Sequence, residues 1–291
     1  MALCLPIGTI LSFIEAGLIF GKSGDYVKDT ENLTWVQNIC MTVFGIGFLI
    51  FFRDKPEHPP SKEAAIKIVK QDLRKVFAQC FENKGYVLLC VIFGLMDGAF
   101  VSFAAVLSLL FAAYNTPEYT AYSTGLISLY GGMTTIIGVV ASFSAAVYLK
   151  RAKTFLWPMR TILIGMSLVF IMGIFAVPSL NKIWVGVSLL LLGVFLVPII
   201  PLSFAFATEL TFPIDPPLTQ GLLLMCGMGS GAIQGLLGTY LCSVNPGILL
   251  LFYAFEAVVS CSLSFLIPTK QKSDAWAGAP SRESITIEDE D

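Results

Sequence analysis

Three carboxylates interrupt long apolar stretches of the sequence: Glu15, Asp97 and Glu256. If such a stretch crosses a bilayer, a charged side chain at its centre costs about 2.5–3.5 kcal/mol unless it faces water, a partner or a cavity. A carboxylate there either binds a cation, carries a proton or accepts a hydrogen bond from a neighbouring helix. Asp97 is the strongest candidate because it lies well inside its stretch. It also precedes Val101 by four residues, so both side chains project from one helix face.

Polar and aromatic residues in other apolar stretches are weaker candidates for a binding site. Tyr130 lies in mid-stretch, where it either reaches a cavity or packs. Gln234 either contacts a ligand or forms a hydrogen bond between helices. It lies among small residues that permit close helix approach, namely Gly227, Gly229, Ser230, Gly231 and Gly235.

The composition is that of a membrane protein. Of 291 residues, 56% are hydrophobic and 13% are charged, against roughly a quarter charged in soluble domains. A net charge of −2 argues against a nucleic-acid partner, which requires a basic surface. The sequence contains no nucleotide-binding loop, nucleophile elbow, H-E-x-x-H or paired-cysteine zinc pattern. We therefore predict no enzyme, no cofactor and no metal site.

The apolar stretches predict an all-α polytopic fold of about eight transmembrane helices, since about 20 apolar residues cross a bilayer. The first is the weakest because of Pro6 and Glu15, and the sixth contains Pro198 and Pro201. The predicted spans are Leu3–Phe20, Thr34–Phe52, Tyr86–Ala113, Tyr122–Tyr148, Phe155–Val177, Ile183–Phe206, Leu218–Leu241 and Gly247–Ile267.

The polar segments between the spans set the predicted orientation. If both termini are cytoplasmic, fifteen lysines and arginines lie on or next to the cytoplasmic side and three on the other, as the positive-inside rule requires. The connector Arg53–Lys84 includes an amphipathic pattern over Ala64–Phe81, which predicts a helix along the membrane surface. The sequon at Asn32 lies on the opposite side, where glycosylation occurs. The membrane is the plasma membrane or that of an organelle.

Three short motifs indicate a family. The connector contains Lys55-Pro56-Glu57-His58-Pro59-Pro60-Ser61, and the third span contains Phe93-Gly94-Leu95-Met96-Asp97-Gly98-Ala99-Phe100. The sixth span ends in Glu209-Leu210-Thr211-Phe212-Pro213. Together these resemble the feline leukaemia virus subgroup C receptor-related transporters, which belong to the major facilitator superfamily. The resemblance covers roughly residues 45–265.

The resemblance implies a transporter that moves choline or ethanolamine, with haem also proposed, by alternating access between two six-helix halves. On that template the chain contains helices five to twelve. Residues 1–52 are then the last two helices of the N-terminal half, and 53–84 the loop between the halves. Residues 85–268 are the C-terminal half, and 269–291 a disordered cytoplasmic tail. Another chain supplies the missing helices unless the sequence is partial.

The resemblance also implies roles for individual residues. Val101 occupies the position of a tyrosine that cages the ammonium group in the family, and Met228 that of a glutamine on the eleventh helix. Glu209 ends the tenth helix and is either a gating residue or a plain interfacial carboxylate. Glu15 is a weaker candidate for gating or coupling. The only histidine, His58, falls in the connector, so no imidazole is available within the spans to ligate haem iron.

Two functions from different classes therefore follow from the sequence. The first is transport of a small organic cation, with Asp97 meeting the substrate where the family uses an aromatic ring. The second is a non-transporting membrane receptor or assembly subunit that keeps a partial transporter fold.

Overall fold

The computed structural model describes residues 4–19, 25–51, 73–115, 122–152, 155–211 and 214–267. In these ranges the regular secondary structure consists of helices alone. They are α1 (Cys4–Ile19), α2 (Tyr26–Phe51), α3 (Leu73–Glu82), α4 (Lys84–Ala112), α5 (Thr124–Ala152), α6 (Leu156–Ala176), α7 (Lys182–Leu196), α8 (Ile199–Thr211), α9 (Pro216–Val244) and α10 (Pro246–Ser264).

Seven helical stretches in the described residues are long and apolar enough to cross a membrane, with α7 and α8 together forming one of them. The predicted all-helical membrane fold is thus confirmed. The remaining predicted span is the first, Leu3–Phe20, which corresponds to α1, a helix of 16 residues. That helix is shorter than the roughly 20 residues that a crossing needs.

Helix α2 begins at Tyr26, eight residues before the predicted start of the second span at Thr34. Its added first turns are polar, and the Asp25 carboxylate accepts a hydrogen bond from Val27 N at 3.0 Å. Side-chain caps of this kind start helices irrespective of hydrophobicity. The apolar pattern therefore located the membrane-embedded part of α2 and not the helix start.

The predicted surface helix over Ala64–Phe81 corresponds in part to α3, which begins at Leu73. Val76 and Cys80 are buried, whereas Phe77 and Phe81 on the other side of α3 are exposed. Part of the apolar surface of α3 is therefore buried in the bundle, and another part is open to lipid. The earlier part of the connector, including His58, and the tail after residue 267 lie outside the described residues.

Asparagines cap three of the membrane helices and so allow short connections. Asn83 Oδ1 accepts from Gly85 N at 3.1 Å, Asn181 Oδ1 from Ile183 N at 3.1 Å, and Asn245 Oδ1 from Gly247 N at 2.8 Å. Each bond satisfies one of the amides that a helix start leaves without an intrahelical partner. Helices α4, α7 and α10 therefore begin immediately after their caps.

The two prolines of the sixth predicted span divide it into α7 and α8. Proline lacks an amide hydrogen and clashes with the preceding turn, so it bends a helix. Backbone bonds continue across the bend, with Val197 N donating to Gly193 O at 3.4 Å and Leu202 N donating to Pro198 O at 3.3 Å. The span is therefore one bent helix.

The helices associate mainly in pairs. Helix α4 packs along α9, α5 along α7, and α6 along α10, while α1 lies against α5. The ring of Phe13 on α1 fills the space that a side chain at Gly131 of α5 would occupy. The most apolar part of α2 has no buried residue in the described chain, so its side chains face lipid or another protein.

Candidate functional site

Helices α4 and α9 run in the same direction and meet along a strip of small residues, which we call the α4–α9 seam. It consists of Gly94, Gly98 and Ser102 on α4 and Gly227, Gly231 and Gly235 on α9. A β-carbon on Gly98 would lie 2.9 Å from Ser230 Oγ and 3.0 Å from Gly231 N. Only glycine allows backbones to approach so closely.

Asp97 lies in this seam, near the middle of both helices. Its side chain is 1% exposed, and its Oδ2 occupies the space that a β-carbon on Gly227 would fill. Oδ2 accepts no hydrogen bond from any described residue. The seam therefore holds a carboxyl group at mid-membrane depth with one oxygen lacking the partner that buried polar atoms normally have.

Val101 follows Asp97 along the same face of α4. A β-carbon on Gly231 would lie 3.1 Å from Val101 Cβ, so Val101 packs directly on the backbone of α9. The structure thus brings Asp97 and Val101 to one helix contact, as their spacing predicted.

Gln234 lies at the same contact and is 3% exposed. Its Nε2 donates to Ser230 Oγ at 2.9 Å and to Leu95 O on α4 at 3.2 Å. Its Oε1 lies 3.4 Å from the hydroxyl of Ser102. Two roles were open for Gln234 from the sequence, a ligand contact or a hydrogen bond between helices. In this conformation it forms hydrogen bonds between helices.

Two members of this network, Ser102 and Tyr253, were not predicted from the sequence. Ser102 Oγ lies 3.0 Å from the hydroxyl of Tyr253 on α10, so Tyr253 donates to Ser102 when Ser102 donates to Gln234. The Tyr253 ring is held between Phe103 and Phe170, at 5.7 Å and 5.8 Å between centroids. A sequence signal for Ser102 existed, because it continues the four-residue spacing of Gly94 and Gly98.

Replacing Gln234 with leucine is expected to destabilise the bundle. The substitution keeps an unbranched-at-Cβ side chain of similar bulk but removes the donors to α4 and the acceptor for Ser102, at a cost of about 1–3 kcal/mol. The midpoint of thermal unfolding in detergent measures the effect. A Gln234→Leu protein as stable as the wild type would contradict the role of the network.

Tyr130 lies apart from the Asp97 carboxyl, whereas Met228 follows the glycine that Asp97 contacts. The Tyr130 hydroxyl donates to Lys182 O at the start of α7, at 2.8 Å, and its ring lies 6.4 Å from that of Phe111. These contacts attach α5 to α4 and α7 near one end of the bundle. Met228 is half-buried between two glycines of α9, one residue beyond Gly227.

The other predicted site residues lie at the edges of the described bundle. Glu209 is half-buried two residues before the end of α8, and Glu15 is half-buried on α1. Asn32 is exposed but lies within α2, so the sequon is on a helix and not in a link before it. Its glycosylation stays a prediction.

Polar contacts close the end of the bundle where α8 finishes. Asn83 Nδ2 donates to Leu210 O at 2.7 Å, and Gln220 Nε2 donates to Thr208 Oγ1 at 3.2 Å. The buried hydroxyl of Tyr86 donates to Thr219 O on α9 at 2.6 Å. Helices α4, α8 and α9 are thus attached to one another next to Glu209.

Replacing Tyr86 with phenylalanine is expected to lower stability by about 1 kcal/mol, because Thr219 O loses its donor in a buried place. The unfolding midpoint in detergent measures the loss. Tyr148→Phe is the matched control, since the Tyr148 side chain is 58% exposed and the change leaves packing unaltered. Equal effects of the two substitutions would contradict the interpretation.

A small cavity of about 30 Å³ separates α1 from α4, α5 and α7. Phe13, Phe100 and Phe103 line it together with the hydroxyl-bearing Thr9, Thr134 and Thr135. It has room for only one or two water molecules. In this conformation the cavity is too small for an organic cation.

Comparison with known proteins identifies relatives. The chain is 28% identical to the choline/ethanolamine transporter FLVCR2 of Homo sapiens over 220 residues, which are 71% of this chain and 40% of that protein. It is 30% identical to the choline/ethanolamine transporter FLVCR1 of Mus musculus over 183 residues, 60% of this chain and 31% of that protein. An uncharacterized protein of Caenorhabditis elegans, B0416.5, is 24% identical over 81% of this chain and 44% of its own length.

No family model matches the chain, and the chain spans less than half the length of the curated relatives it matches. The apolar helices and these relatives together make the chain a multi-pass helical membrane protein. Over most of its length it is related to the feline leukaemia virus subgroup C receptor-related transporters, which are of the major facilitator type.

Proposed function

We propose that the chain takes part in moving a small organic cation, of the choline or ethanolamine type, across a membrane by alternating access. The observation that carries this proposal is its relationship to the choline/ethanolamine transporters over 60–75% of its length. The fold agrees with it, since six of the seven described spans pack as close helix pairs, α4 with α9, α5 with α7 and α6 with α10. The named relatives are choline/ethanolamine transporters, so the proposal assigns the chain no catalytic step.

Asp97 supplies the negative charge in this proposal. An ammonium group needs either aromatic faces or a carboxylate, and the aligned cage position is a valine here. Asp97 lies one turn before Val101, so a cation held there lies in nearly the same place. Because Asp97 is closed off in this conformation, the cation reaches it only when the surroundings of the α4–α9 seam open.

The orientation in the proposal has both termini in the cytoplasm. In that arrangement Asn83, Tyr86 and Glu209 lie at the cytoplasmic end of the bundle, where a gate operates in an alternating-access cycle. The contacts of α4 with α8 and α9 at this end hold one half together beside that gate. Residues 85–268 then form one moving half and residues 1–52 belong to the other.

A second candidate is a membrane subunit that assembles with another chain. It is supported by α2, whose most apolar part has no buried residue in the described chain. Cys40 is exposed on α2 and offers a site for a thiol-directed crosslinker. A crosslink from Cys40 to a second chain in native membranes supports assembly, and its absence argues for lipid around α2.

The uptake of labelled substrates by proteoliposomes tests the main proposal. Vesicles containing the full chain are compared with empty vesicles for labelled choline, ethanolamine and haem. Saturable choline uptake that unlabelled ethanolamine inhibits is the expected result. Uptake equal to that of empty vesicles for all three compounds would contradict transport by this chain alone.

A further inference from the structure

Two free cysteines meet at one end of the α4–α9 seam, Cys90 on α4 and Cys226 on α9. Their thiols are within hydrogen-bonding distance of each other. The two helices are also close at this level. A β-carbon on Gly94, one turn beyond Cys90, would lie 3.9 Å from Cys226 Cβ and 3.5 Å from Cys226 O. The seam therefore ends in a pair of neighbouring sulfur atoms that belong to two different helices.

The cysteine pair lies beside the Asp97 carboxyl. Cys90 precedes Asp97 by seven residues, which is two turns, so the two side chains project from the same face of α4. On α9, Cys226 directly precedes Gly227, the glycine that the Asp97 side chain contacts. A bond between the two sulfur atoms would therefore join α4 to α9 next to Asp97.

The two thiols differ in their access to small molecules. Cys90 is 8% exposed, whereas Cys226 is half-buried. Cys90 lies about 9 Å from the start of α4 at 1.5 Å per residue, so the pair is nearer one membrane surface than the middle of the bundle. A small uncharged oxidant such as a peroxide therefore reaches Cys226 first. Cys90 is then the neighbouring thiol that resolves the oxidised Cys226.

We propose that Cys90 and Cys226 are a redox site at which a peroxide forms a reversible disulfide between α4 and α9. The Cys226 sulfur attacks one oxygen of hydrogen peroxide, the O–O bond breaks, and a sulfenic acid and one water form. The Cys90 sulfur then attacks the Cys226 sulfur, the S–O bond breaks, and a second water leaves. The sulfur atoms give two electrons to the peroxide, and both thiol protons leave in the water molecules. A dithiol restores both cysteines and is itself oxidised to a disulfide.

The consequence for transport rests on the proposed function, in which a cation reaches Asp97 only when the surroundings of the seam open. A disulfide keeps the two β-carbons about 3.5–4.5 Å apart. Helices α4 and α9 therefore cannot separate beside Asp97 while the disulfide is present. Oxidation is expected to stop uptake and reduction to restore it, whereas formation of the disulfide does not depend on transport.

Peptide mapping of the full chain in proteoliposomes tests the disulfide. The vesicles are treated with hydrogen peroxide, and the peptides are separated without reduction and identified by mass spectrometry. A peptide pair linked through Cys90 and Cys226 is expected, and dithiothreitol is expected to remove the linkage. Both thiols remaining free after oxidation would overturn the proposal, and so would a linkage of Cys226 mainly to Cys80, the buried cysteine of α3.

Substitutions establish which thiol resolves the other. Cys90→Ser is expected to prevent the linkage and to leave Cys226 as a sulfenic acid that dimedone labels. Cys242→Ser is the matched control, since Cys242 is also buried on α9, at 4% exposed, but lies near the opposite end of that helix. The control is expected to form the linkage as the wild type does. Loss of the linkage in both variants contradicts the pairing, and the wild-type map decides it should Cys90→Ser fail to fold.

Choline uptake by the same vesicles separates the effect of the disulfide from transport itself. Uptake by the wild type is expected to fall to that of empty vesicles after oxidation and to return after reduction, whereas Cys90→Ser keeps its uptake under peroxide. Full uptake by the disulfide-linked chain rejects closure of the seam by this bond and leaves the proposed transport intact. Absence of uptake by the reduced chain contradicts the proposed transport instead, and the peptide map still decides whether the disulfide forms.

Discussion

Asp97→Asn is expected to reduce choline uptake by about ten- to a hundredfold, the range that loss of a hydrogen bond to a charged group predicts. Asparagine has nearly the shape of aspartate and fits against Gly227, so the bundle remains folded. The change removes only the negative charge, and with it the attraction for an ammonium group or the capacity to carry a proton. Initial rates of labelled choline uptake in proteoliposomes measure the effect.

Glu256→Gln is the matched control for this experiment. Glu256 is also a buried carboxylate, 7% exposed on α10, and its Oε2 likewise lacks a hydrogen-bond partner among the described residues. If any buried acid supported uptake regardless of its position, both substitutions would reduce choline uptake. We expect the Glu256 variant to keep most of its uptake, and unchanged uptake by the Asp97 variant would remove Asp97 from the site.

Gly231→Leu is expected to prevent α4 and α9 from packing together. A β-carbon there would lie 3.1 Å from Val101 Cβ and 3.4 Å from Gly98 Cα, and leucine adds three further carbon atoms. Backbone atoms cannot rotate away as a flexible side chain does, so we expect a loss of about 3 kcal/mol. A lower yield of monodisperse protein and a lower unfolding midpoint in detergent are the measurements.

Gly229→Leu tests the same substitution two residues away. A β-carbon on Gly229 meets no atom within 4 Å, so the larger side chain points into open space. Helix propensity favours leucine over glycine by roughly 0.5–1 kcal/mol. The Gly229 variant is therefore expected to be at least as stable as the wild type, and comparable losses in both variants would show that α9 does not pack on α4 at Gly231.

The hydrophobic pattern was sufficient to predict most helices, because apolar side chains in a bilayer need a continuous helix to satisfy the backbone. It was least accurate where polar chemistry sets the helix ends. Asp25 starts α2 well before the apolar stretch, and the two prolines divide the sixth span into α7 and α8. A side-chain cap and the missing amide hydrogen of proline determine these helix ends, and hydropathy measures neither.

The candidate site was predictable only in part. The spacing of Asp97 and Val101 placed them on one helix face, and the glycines around Gln234 predicted close approach to another helix. The sequence did not indicate which helix approaches these glycines, so the pairing of Gly98 with Gly231 was not predicted. Tyr253 was missed for the same reason, because α10 joins the network through a contact 151 residues distant along the chain.

The sequence by itself determined that the chain is a helical membrane protein, which apolar stretches carry acids, and which family it resembles. These properties depend on composition, on spacing within one helix and on short motifs. Only the tertiary structure decided that Asp97 lies against Gly227, that Gln234 bonds to α4, and that Tyr253 of α10 joins this network through Ser102. Each of these results from contact between helices distant in sequence, and such contacts depend on how complete surfaces fit together.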